Sequence, residues 1–395
     1  MGAVLAKRRV AAGFAGPPTD RASAVRKLSL FLGITTVANV VIGSQLSYRA
    51  VEHMETTQFC GQSCHVMKPE FSAHAAAPHS KVPCVSCHVS PGATGWVQSK
   101  FNGTRQLLEV ATNSFHRPIP AGLASGRLVA SEETCESCHA RESGRAVRVK
   151  VIPKHADDEA SSATWTVLAM RVAKIHSAHA GGATIRYATA DATRQSLPWV
   201  EVTRASAGKV TAYFGKEATA ESVSALPKFT MQCVDCHNRP AHTFERPGPA
   251  VDRAIAAGDI PSSLPFIKKK GVELLGASYA DENEARARIA SDLAAFYAKD
   301  HAEIASSRSA DIDRASAALL AIWSRNVFPD LKVTWGTYPN NLGHEDAPGC
   351  FRCHDGEHAT ADAAASIVLD CASCHEAIAV EEANPEILKT LGIQG

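Results

Sequence analysis

Twelve cysteines in the 395-residue chain fall into six short clusters, and each cluster ends in a histidine. Five have the spacing Cys-x-x-Cys-His, whereas the first is one residue longer, Cys-x-x-x-Cys-His. Two thiols at this spacing can bond the two vinyl groups of one porphyrin, and the following histidine can ligate its iron. In chain order, clusters 1 to 6 are Cys60/Cys64/His65, Cys84/Cys87/His88, Cys135/Cys138/His139, Cys233/Cys236/His237, Cys350/Cys353/His354 and Cys371/Cys374/His375.

A single Cys-x-x-Cys pair is also typical of a zinc knuckle or a redox dithiol. Zinc ribbons pair such units, and they do not need a histidine after every second cysteine. The repetition therefore favours six covalently attached haem c groups, with no other metal expected. Cluster 1 is the least typical of the six. So few residues serve each haem that we expect a multihaem cytochrome c with a mainly α-helical or irregular, haem-packed domain.

An uncharged segment follows a basic N-terminus. No charged residue lies between Leu28 and Tyr48, and the preceding residues carry a net charge of +5. A helix over 28–48 would be about 31 Å long, enough to cross the hydrocarbon core of a membrane. Because no A-x-A-like site precedes Arg49, we expect a retained anchor rather than a cleaved signal, with 1–27 in the cytoplasm. A buried soluble helix is the remaining alternative.

Covalent haem attachment takes place outside the cytoplasm, so the haem domain is expected in the periplasm of a bacterium, tied to the inner membrane by a single span. Lys and Arg total 41 against 40 Asp and Glu, which argues against a nucleic-acid partner. The hydrophobic fraction of 45% excludes a wholly disordered chain. Membrane lipid is the one partner that the anchor itself predicts.

The spacing of the clusters divides the external part into four regions. Residues 49–140 hold clusters 1 to 3, and 141–232 form an insertion in which alternating segments predict a small β-sheet with a hairpin. Residues 233–263 surround cluster 4. Residues 264–395 are predicted to be helical and carry clusters 5 and 6. In this last region Asp281 and Glu284 have the spacing of a capping box.

Histidines are numerous enough to give every iron a second imidazole. Low-spin, six-coordinate iron suits electron transfer, because no position is open to a substrate. The candidates for the distal position are His74, His79, His116, His176, His179, His242, His301, His344 and His358. Met67, two residues after His65, could instead bring a thioether to the first iron, or could serve only in packing.

Residues around clusters 1 and 2 resemble a known family. The sequence Phe59-Cys-Gly-Gln-Ser-Cys-His-Val-Met-Lys-Pro-Glu70, then His79, Ser90-Pro-Gly-Ala-Thr-Gly95 and Lys100, is similar to the NapC/NirT membrane-anchored cytochrome c quinol dehydrogenases. The similarity covers roughly 25–140 and extends loosely to cluster 4. It implies quinol oxidation beside haem 1 and transfer of electrons along the haems to a periplasmic cytochrome or reductase. It also implies that Met67 ligates haem 1, that His79 ligates haem 4, and that Lys100 lines the quinol pocket.

The sequence also departs from that family. The insertion and clusters 5 and 6 are additional, as in six-haem and seven-haem relatives from metal-reducing bacteria. Gln232 stands where relatives often carry a histidine ligand. The acidic residue expected after the quinol-site lysine is missing, and Gln106 and Glu109 are its nearest substitutes. We therefore expect a menaquinol-oxidising cytochrome of anaerobic respiration. An anchored electron carrier without a quinol site, or a reductase of a small oxyanion, are the alternatives.

Overall fold

The computed structural model describes residues 21–122, 128–139, 146–204 and 208–393, and the side chain of His65 lies outside that description. Residues 1–20 of the predicted cytoplasmic segment, the boundary at 140/141 and most of the predicted hairpin turn also fall outside it. The chain divides into two compact units between Phe59 and Cys60.

The first unit contains one long helix, α1 (Arg21–Met54). It has no buried residue and is long and apolar enough to cross a membrane. The uncharged segment 28–48 lies wholly inside it, so the predicted span is helical. The helix extends further at both ends than the uncharged segment, because charged and polar residues can continue a helix beyond the hydrocarbon region.

The second unit begins with short helices around clusters 1 and 2. They are α2 (Lys68–Ala75), α3 (Val85–His88) and the longer α4 (Gly92–Ala111). Gly95 lies against the preceding turn near the start of α4, where a Cβ would lie 2.1 Å from the backbone oxygen of Ser90. The close packing of the turn at Ser90 against α4 therefore requires glycine at this position.

Two antiparallel sheets are built mainly from the insertion. The first has the order β1-β2-β7 and the second β5-β4-β3-β6. Their strands are β1 (Arg148–His155), β2 (Ala163–Met170), β3 (Ala183–Ala188), β4 (Trp199–Arg204), β5 (Val210–Phe214), β6 (Lys228–Thr230) and β7 (His375–Glu382). The predicted hairpin is β4–β5. Strand β7 starts at the histidine of cluster 6, so the insertion and the C-terminal region share a sheet.

The remaining helices include those of the region 264–395, which was predicted to be helical. They are α5 (Val172–His176), α6 (Ala220–Ser224), α7 (Cys233–Cys236), α8 (Pro247–Ala256), α9 (Ile267–Gly276), α10 (Glu282–Asp300), α11 (Ala302–Ser307), α12 (Ser309–Asn326), α13 (Cys371–Cys374) and α14 (Ile387–Thr390). Asp281 caps α10 by accepting from the backbone of Asn283 and Glu284. Helices α8 to α10 and α12 share a core that includes Ile289, Leu319 and Trp323.

A buried ion pair ties this helical core to the first sheet. Lys268 Nζ of α9 lies 2.6 Å from Asp252 Oδ1 of α8, and the same oxygen accepts from the backbone nitrogen of His155 at 2.9 Å. The His155 ring also contacts it, with Nδ1 at 3.2 Å. His155 therefore has a structural partner at the end of β1.

Candidate haem sites

Four of the six clusters share one local fold. In each, the backbone nitrogen of the histidine donates to the backbone oxygen of the first cysteine, at 2.8 to 3.0 Å, in clusters 2, 3, 4 and 5. This hydrogen bond spans four residues and closes one α-helical turn. Cys-x-x-Cys-His therefore places both thiols and the imidazole around a single turn.

Cluster 1 accommodates its extra residue in a wider turn. Residues Phe59–Ser63 form a π-helix, in which hydrogen bonds span five residues instead of four. Cys60 and His65 are five residues apart, which equals the spacing of hydrogen bonds in a π-helix, as four residues equal that of an α-helix in the shorter clusters. The longer spacing is thus compatible with the same attachment chemistry.

The second cysteines of clusters 1 and 3 differ in their surroundings. Cys64 is half-buried, and its backbone oxygen accepts from the backbone nitrogen of Met67 at 2.8 Å, which links cluster 1 to the start of α2. Cys138 is exposed, and its backbone nitrogen donates to the oxygen of Cys135 at 3.2 Å. Neither cysteine forms a disulfide, so both thiols are free for chemistry. Haem attachment through Cys64 and Cys138 stays a prediction from the motif spacing.

Gly61 allows the turn of cluster 1 to pack. It is buried, and a Cβ at this position would lie 2.0 Å from Cδ2 of Phe71. The Phe71 ring of α2 therefore lies directly on the backbone of cluster 1. Met67 is half-buried at the N-cap of the same helix.

Five cluster histidines each face a second imidazole at nearly the same distance. The ring centroids are 6.1 Å apart for His88–His242, 6.0 Å for His79–His139, 6.1 Å for His176–His237, 5.9 Å for His179–His354 and 6.4 Å for His344–His375. Two imidazoles on opposite sides of one metal have centroids about 6 Å apart, because each metal–nitrogen bond is roughly 2 Å. Clusters 2 to 6 therefore each have room for an iron between two rings.

Hydrogen bonds orient four of these rings in the same way. Nδ1 donates to a backbone oxygen in each case: His79 to Pro240, His242 to Glu70, His179 to Ile175 and His354 to Val368, at 2.8 to 3.0 Å. Metal-binding histidines commonly donate their other ring N–H to a carbonyl in this manner. Nε2 is left as the nitrogen able to bind iron, so the rings present fit haem c.

Burial favours the neutral form of four of the paired imidazoles. The pKa values of His88, His179 and His237 are lowered, with burial the largest cause, and burial lowers the pKa of His242 to about 4. A histidine must be unprotonated at the nitrogen that binds a metal. Iron binding at these positions therefore requires no loss of a proton near neutral pH.

Two other candidates from the sequence have different surroundings. His74 lies near His242, with centroids 6.2 Å apart, but its Nε2 is bonded to the oxygen of Val82 at 3.0 Å. Nε2 of His358 is bonded to the oxygen of Leu197 at 2.8 Å, and its Nδ1 faces the Asp355 carboxylate. Both nitrogens of His358 are thus engaged by the protein, so the ring has a structural role.

His301 and His116 are also placed away from the paired rings. His301 packs among aromatic side chains of the helical core, with its centroid 5.5 Å from that of Phe296. His116 is exposed on the segment after α4. The structure therefore gives no support to His301 or His116 as distal ligands.

The six clusters follow one another in space in the same order as in the chain. The thiols of Cys60 and Cys84 are hydrogen-bonded. Burial raises the pKa values of four further thiols, and a cysteine of the adjacent cluster raises each of them as well. Cys135 of cluster 3 raises the pKa values of Cys87 and Cys233, in clusters 2 and 4. Cys236 of cluster 4 raises the pKa of Cys353 in cluster 5, and Cys350 of cluster 5 raises that of Cys374 in cluster 6. Each cluster therefore lies beside the next, from cluster 1 to cluster 6.

The proposed quinol residues lie on α4 but do not converge. Lys100 Nζ is 5.1 Å from the Trp96 ring centroid. Glu109 lies nine residues further along, about 2.5 helical turns, so it projects from the opposite side of the helix. Its carboxylate pairs with Arg105 at 2.5 Å, and Gln106 is exposed. Lys100 is therefore separated from both substitutes that the sequence suggested.

The NapC/NirT cytochrome c family, N-terminal region, matches residues 22–164. The chain is also 39% identical to cytochrome c-type protein ImcH of Geobacter sulfurreducens, over 89% of this chain and 71% of that relative. The chain belongs to the NapC/NirT cytochrome c family. Membership implies covalently bound haem c and membrane-linked electron transfer. No solved structure was found to match the chain.

One histidine has a different partner in the structure from the one that the family resemblance implied. The resemblance implied that His79 serves haem 4, but its ring faces His139 of cluster 3, and His237 of cluster 4 faces His176. Gln232 does not take the place of the missing histidine, because its side-chain oxygen accepts from the backbone and hydroxyl of Ser131.

Sequence reasoning missed a buried polar group inside cluster 4. Asp235 accepts from the Tyr187 hydroxyl at 2.5 Å and pairs with Arg194 at 3.0 Å, and its second oxygen accepts from the backbone of Gln232. Asp235 is one of the two variable residues of the motif. The apolar alternation of β3 does not reveal that the Tyr187 hydroxyl reaches this carboxylate.

Proposed function

We propose that this cytochrome oxidises quinol at the periplasmic face of the inner membrane and passes the electrons through six haems to a soluble periplasmic acceptor. The observation that supports this most strongly is the unbroken succession of the six clusters. Haem c bound at each cluster supplies a one-electron carrier, and five of the clusters have two imidazoles available for low-spin iron. Cluster 1 has no such pair of imidazoles among the described residues, and we assign electron uptake to it.

Lys100 is the residue we assign to the quinol pocket. The pKa of the Cys60 thiol is raised, first by its hydrogen bond with Cys84 and by burial, while the Lys100 ammonium acts in the opposite direction. Lys100 therefore lies near cluster 1. An ammonium can donate hydrogen bonds to a quinol oxygen and stabilise the negative charge that develops as the hydroxyl proton leaves.

The outward face of α4 supports a position at the lipid surface. Trp96, Val97, Phe101, Leu107 and Leu108 are exposed to between 41% and 73%. A helix with a large apolar face of this kind is suited to lie in the membrane interface. A lipid-soluble quinol could then reach Lys100 without crossing an aqueous phase.

Oxidation of one quinol yields one quinone, two protons and two electrons. Haem c held at the clusters would accept the two electrons one at a time, so quinol oxidation would require no other oxidant. The protons leave to water or to a base at the pocket. Glu109 is paired with Arg105, and we therefore assign it to holding α4 rather than to accepting these protons.

Replacement of Lys100 by Leu tests this assignment. The variant should lose reduction by a menaquinol analogue, while dithionite still reduces all of its haems. Lys299→Leu, at an exposed lysine near the end of α10, is the matched control and should be reduced by quinol like the unmodified protein. Normal quinol reduction of the Lys100 variant would refute the assignment.

A further inference from the structure

We propose that one ten-residue segment of the insertion, Val172–Gly181, ligates two irons and makes clusters 4 and 5 a coupled pair. His176 would be the distal ligand at cluster 4, and His179 would be the distal ligand at cluster 5. The assignment of electron flow through this pair rests on the proposed function. The ligand assignment does not.

The two rings face different clusters from adjacent turns of the chain. The His176 centroid is 6.1 Å from that of His237, and the His179 centroid is 5.9 Å from that of His354. His176 ends α5, and His179 lies in the π-helical turn Ser177–Gly181 that continues it. A spacing of three residues keeps the two side chains close together on a helical segment.

The orientation of His179 is fixed by its own segment. Its Nδ1 donates to the backbone oxygen of Ile175 at 2.8 Å, which directs Nε2 away from the helix. The Nδ1 of its counterpart His354 donates to the oxygen of Val368 at 3.0 Å. Both rings of this pair therefore present Nε2 as the free nitrogen.

Contacts at the start of the segment and between the two motifs hold the arrangement in place. The backbone nitrogen of Arg171 donates to the oxygen of Cys374 in cluster 6 at 2.8 Å. Nη2 of Arg352, a variable residue of cluster 5, donates to the oxygen of Asp235 in cluster 4 at 2.6 Å. The residue before the segment is thus bonded to cluster 6, and clusters 4 and 5 are bonded to each other.

This arrangement gives the insertion a function. His79, which the family resemblance assigned to haem 4, is oriented toward cluster 3 by its hydrogen bond to Pro240. Cluster 4 then needs another ligand, and the insertion supplies it from the same segment that serves cluster 5. One electron can pass from ferrous iron at cluster 4 to ferric iron at cluster 5, with no atom or proton transferred.

The ligand assignment is tested on the full-length oxidised protein in detergent. His176→Ala and His179→Ala should each retain six haems by pyridine haemochrome, and each should convert one low-spin iron to high spin by electron paramagnetic resonance. His116→Ala is the matched control and should leave every signal unchanged. Single variants that leave all irons low-spin would overturn the proposal.

A double variant distinguishes the new assignment from the family pattern. His79→Ala with His176→Ala should convert two irons, because the two rings serve clusters 3 and 4. Conversion of only one iron would mean that both rings approach the same haem, and the proposal would be wrong. Should an alanine variant fail to fold, His176→Met and His179→Met keep a ligand, and each should raise the reduction potential of one haem. Unchanged potentials in both would also overturn the proposal.

Electron flow is tested separately with the His176→Ala/His179→Ala variant. Quinol should reduce the haems of clusters 1 to 3 at the normal rate, whereas the remaining haems should be reduced more slowly than in the unmodified protein. Equal rates of reduction for all haems would refute electron flow through the pair of clusters 4 and 5. Failure of quinol to reduce even the unmodified protein would refute the proposed function, and the spin-state result would be unaffected.

Discussion

Arg352 of cluster 5 and Asp235 of cluster 4 are joined by a hydrogen bond from the guanidinium to the backbone oxygen, at 2.6 Å. The same guanidinium donates to the oxygens of Arg194 and Gly349, both at 2.9 Å. The side chain is buried and donates to all three carbonyls, and the oxygen of Asp235 also accepts from Asn341 Nδ2 at 3.1 Å. Two haem-attachment motifs that are more than a hundred residues apart in the chain are thus held as one structural unit.

Replacement of Arg352 by Leu should destabilise the protein by roughly 2–4 kcal/mol, because three carbonyl groups would each lose the hydrogen bond that its buried guanidinium donates. The midpoint of thermal unfolding, followed by circular dichroism on protein with its full haem content, measures this. Arg286→Leu removes an exposed arginine that pairs with Glu282 and should have little effect. Equal midpoints for the two variants would contradict the role of Arg352.

Replacement of Gly61 by Ala should disturb cluster 1 alone. The added methyl group would collide with Phe71, so the π-turn or α2 must shift. We expect a change in the spectrum or potential of one haem. Gly103→Ala, in α4 where nothing lies within 4 Å, should leave the spectrum unchanged. A spectrum of Gly61→Ala identical to that of the unmodified protein would show that the turn tolerates a side chain.

Met67 is predicted to ligate the iron of haem 1, on the basis of the family resemblance and its position at the start of α2. Met67→Ala should alter the spectrum of a single haem, and this haem should be the one that quinol analogues perturb. Low-temperature absorption and electron paramagnetic resonance would detect the change. If all six haems keep their spectra, Met67 serves in packing.

Asp252 should make stability depend on pH. Burial raises its pKa, but hydrogen bonds from His155 and Lys268 outweigh burial, so the pKa lies below its ordinary value. A carboxylate with a lowered pKa stabilises the fold above the pKa of the unfolded chain, about 3.9, and this contribution is lost as the pH falls further. Asp252→Asn should therefore cost roughly 3–5 kcal/mol at pH 7, because Lys268 loses its partner.

The difference between Asp252→Asn and the unmodified protein should begin to diminish below about pH 4 and should vanish as the pH falls through the lowered pKa of the native Asp252, where the unmodified carboxylate is also protonated. Denaturant unfolding at pH 7 and below pH 4 measures it. Glu357→Gln, which removes a surface pair with Lys216, is the control and should be nearly neutral at both pH values. A destabilisation that does not change with pH would show that the charge of Asp252 is irrelevant.

Sequence alone predicted the features that depend on local spacing. The uncharged span within α1, the β4–β5 hairpin and the Asp281 cap of α10 are patterns of neighbouring residues, and the structure reproduces each as local geometry. Four of the six motifs likewise share one helical turn. Strand β7 was missed, because a strand directly after a haem motif is recognised only from its pairing with β2, some two hundred residues earlier.

The pairing of histidines could not be read from the sequence. His74 and His242 both lie near cluster 2, and the ring nitrogen that a carbonyl occupies is Nε2 in His74 and Nδ1 in His242. That distinction depends on the backbone of Val82 and of Glu70, which is set by tertiary folding. The separation of Lys100 from Glu109, by contrast, follows from the sequence once both lie in one helix, since a spacing of nine residues places two side chains on opposite sides.

The most direct test of the central claim is to add a menaquinol analogue, without oxygen, to the purified full-length protein in detergent with no other protein present. We predict that the haem absorption bands become those of the reduced state, with one quinol consumed for every two electrons taken up. Haems that stay oxidised with quinol, but are reduced once a membrane dehydrogenase is added, would contradict the account and identify the protein as an anchored carrier without a quinol site.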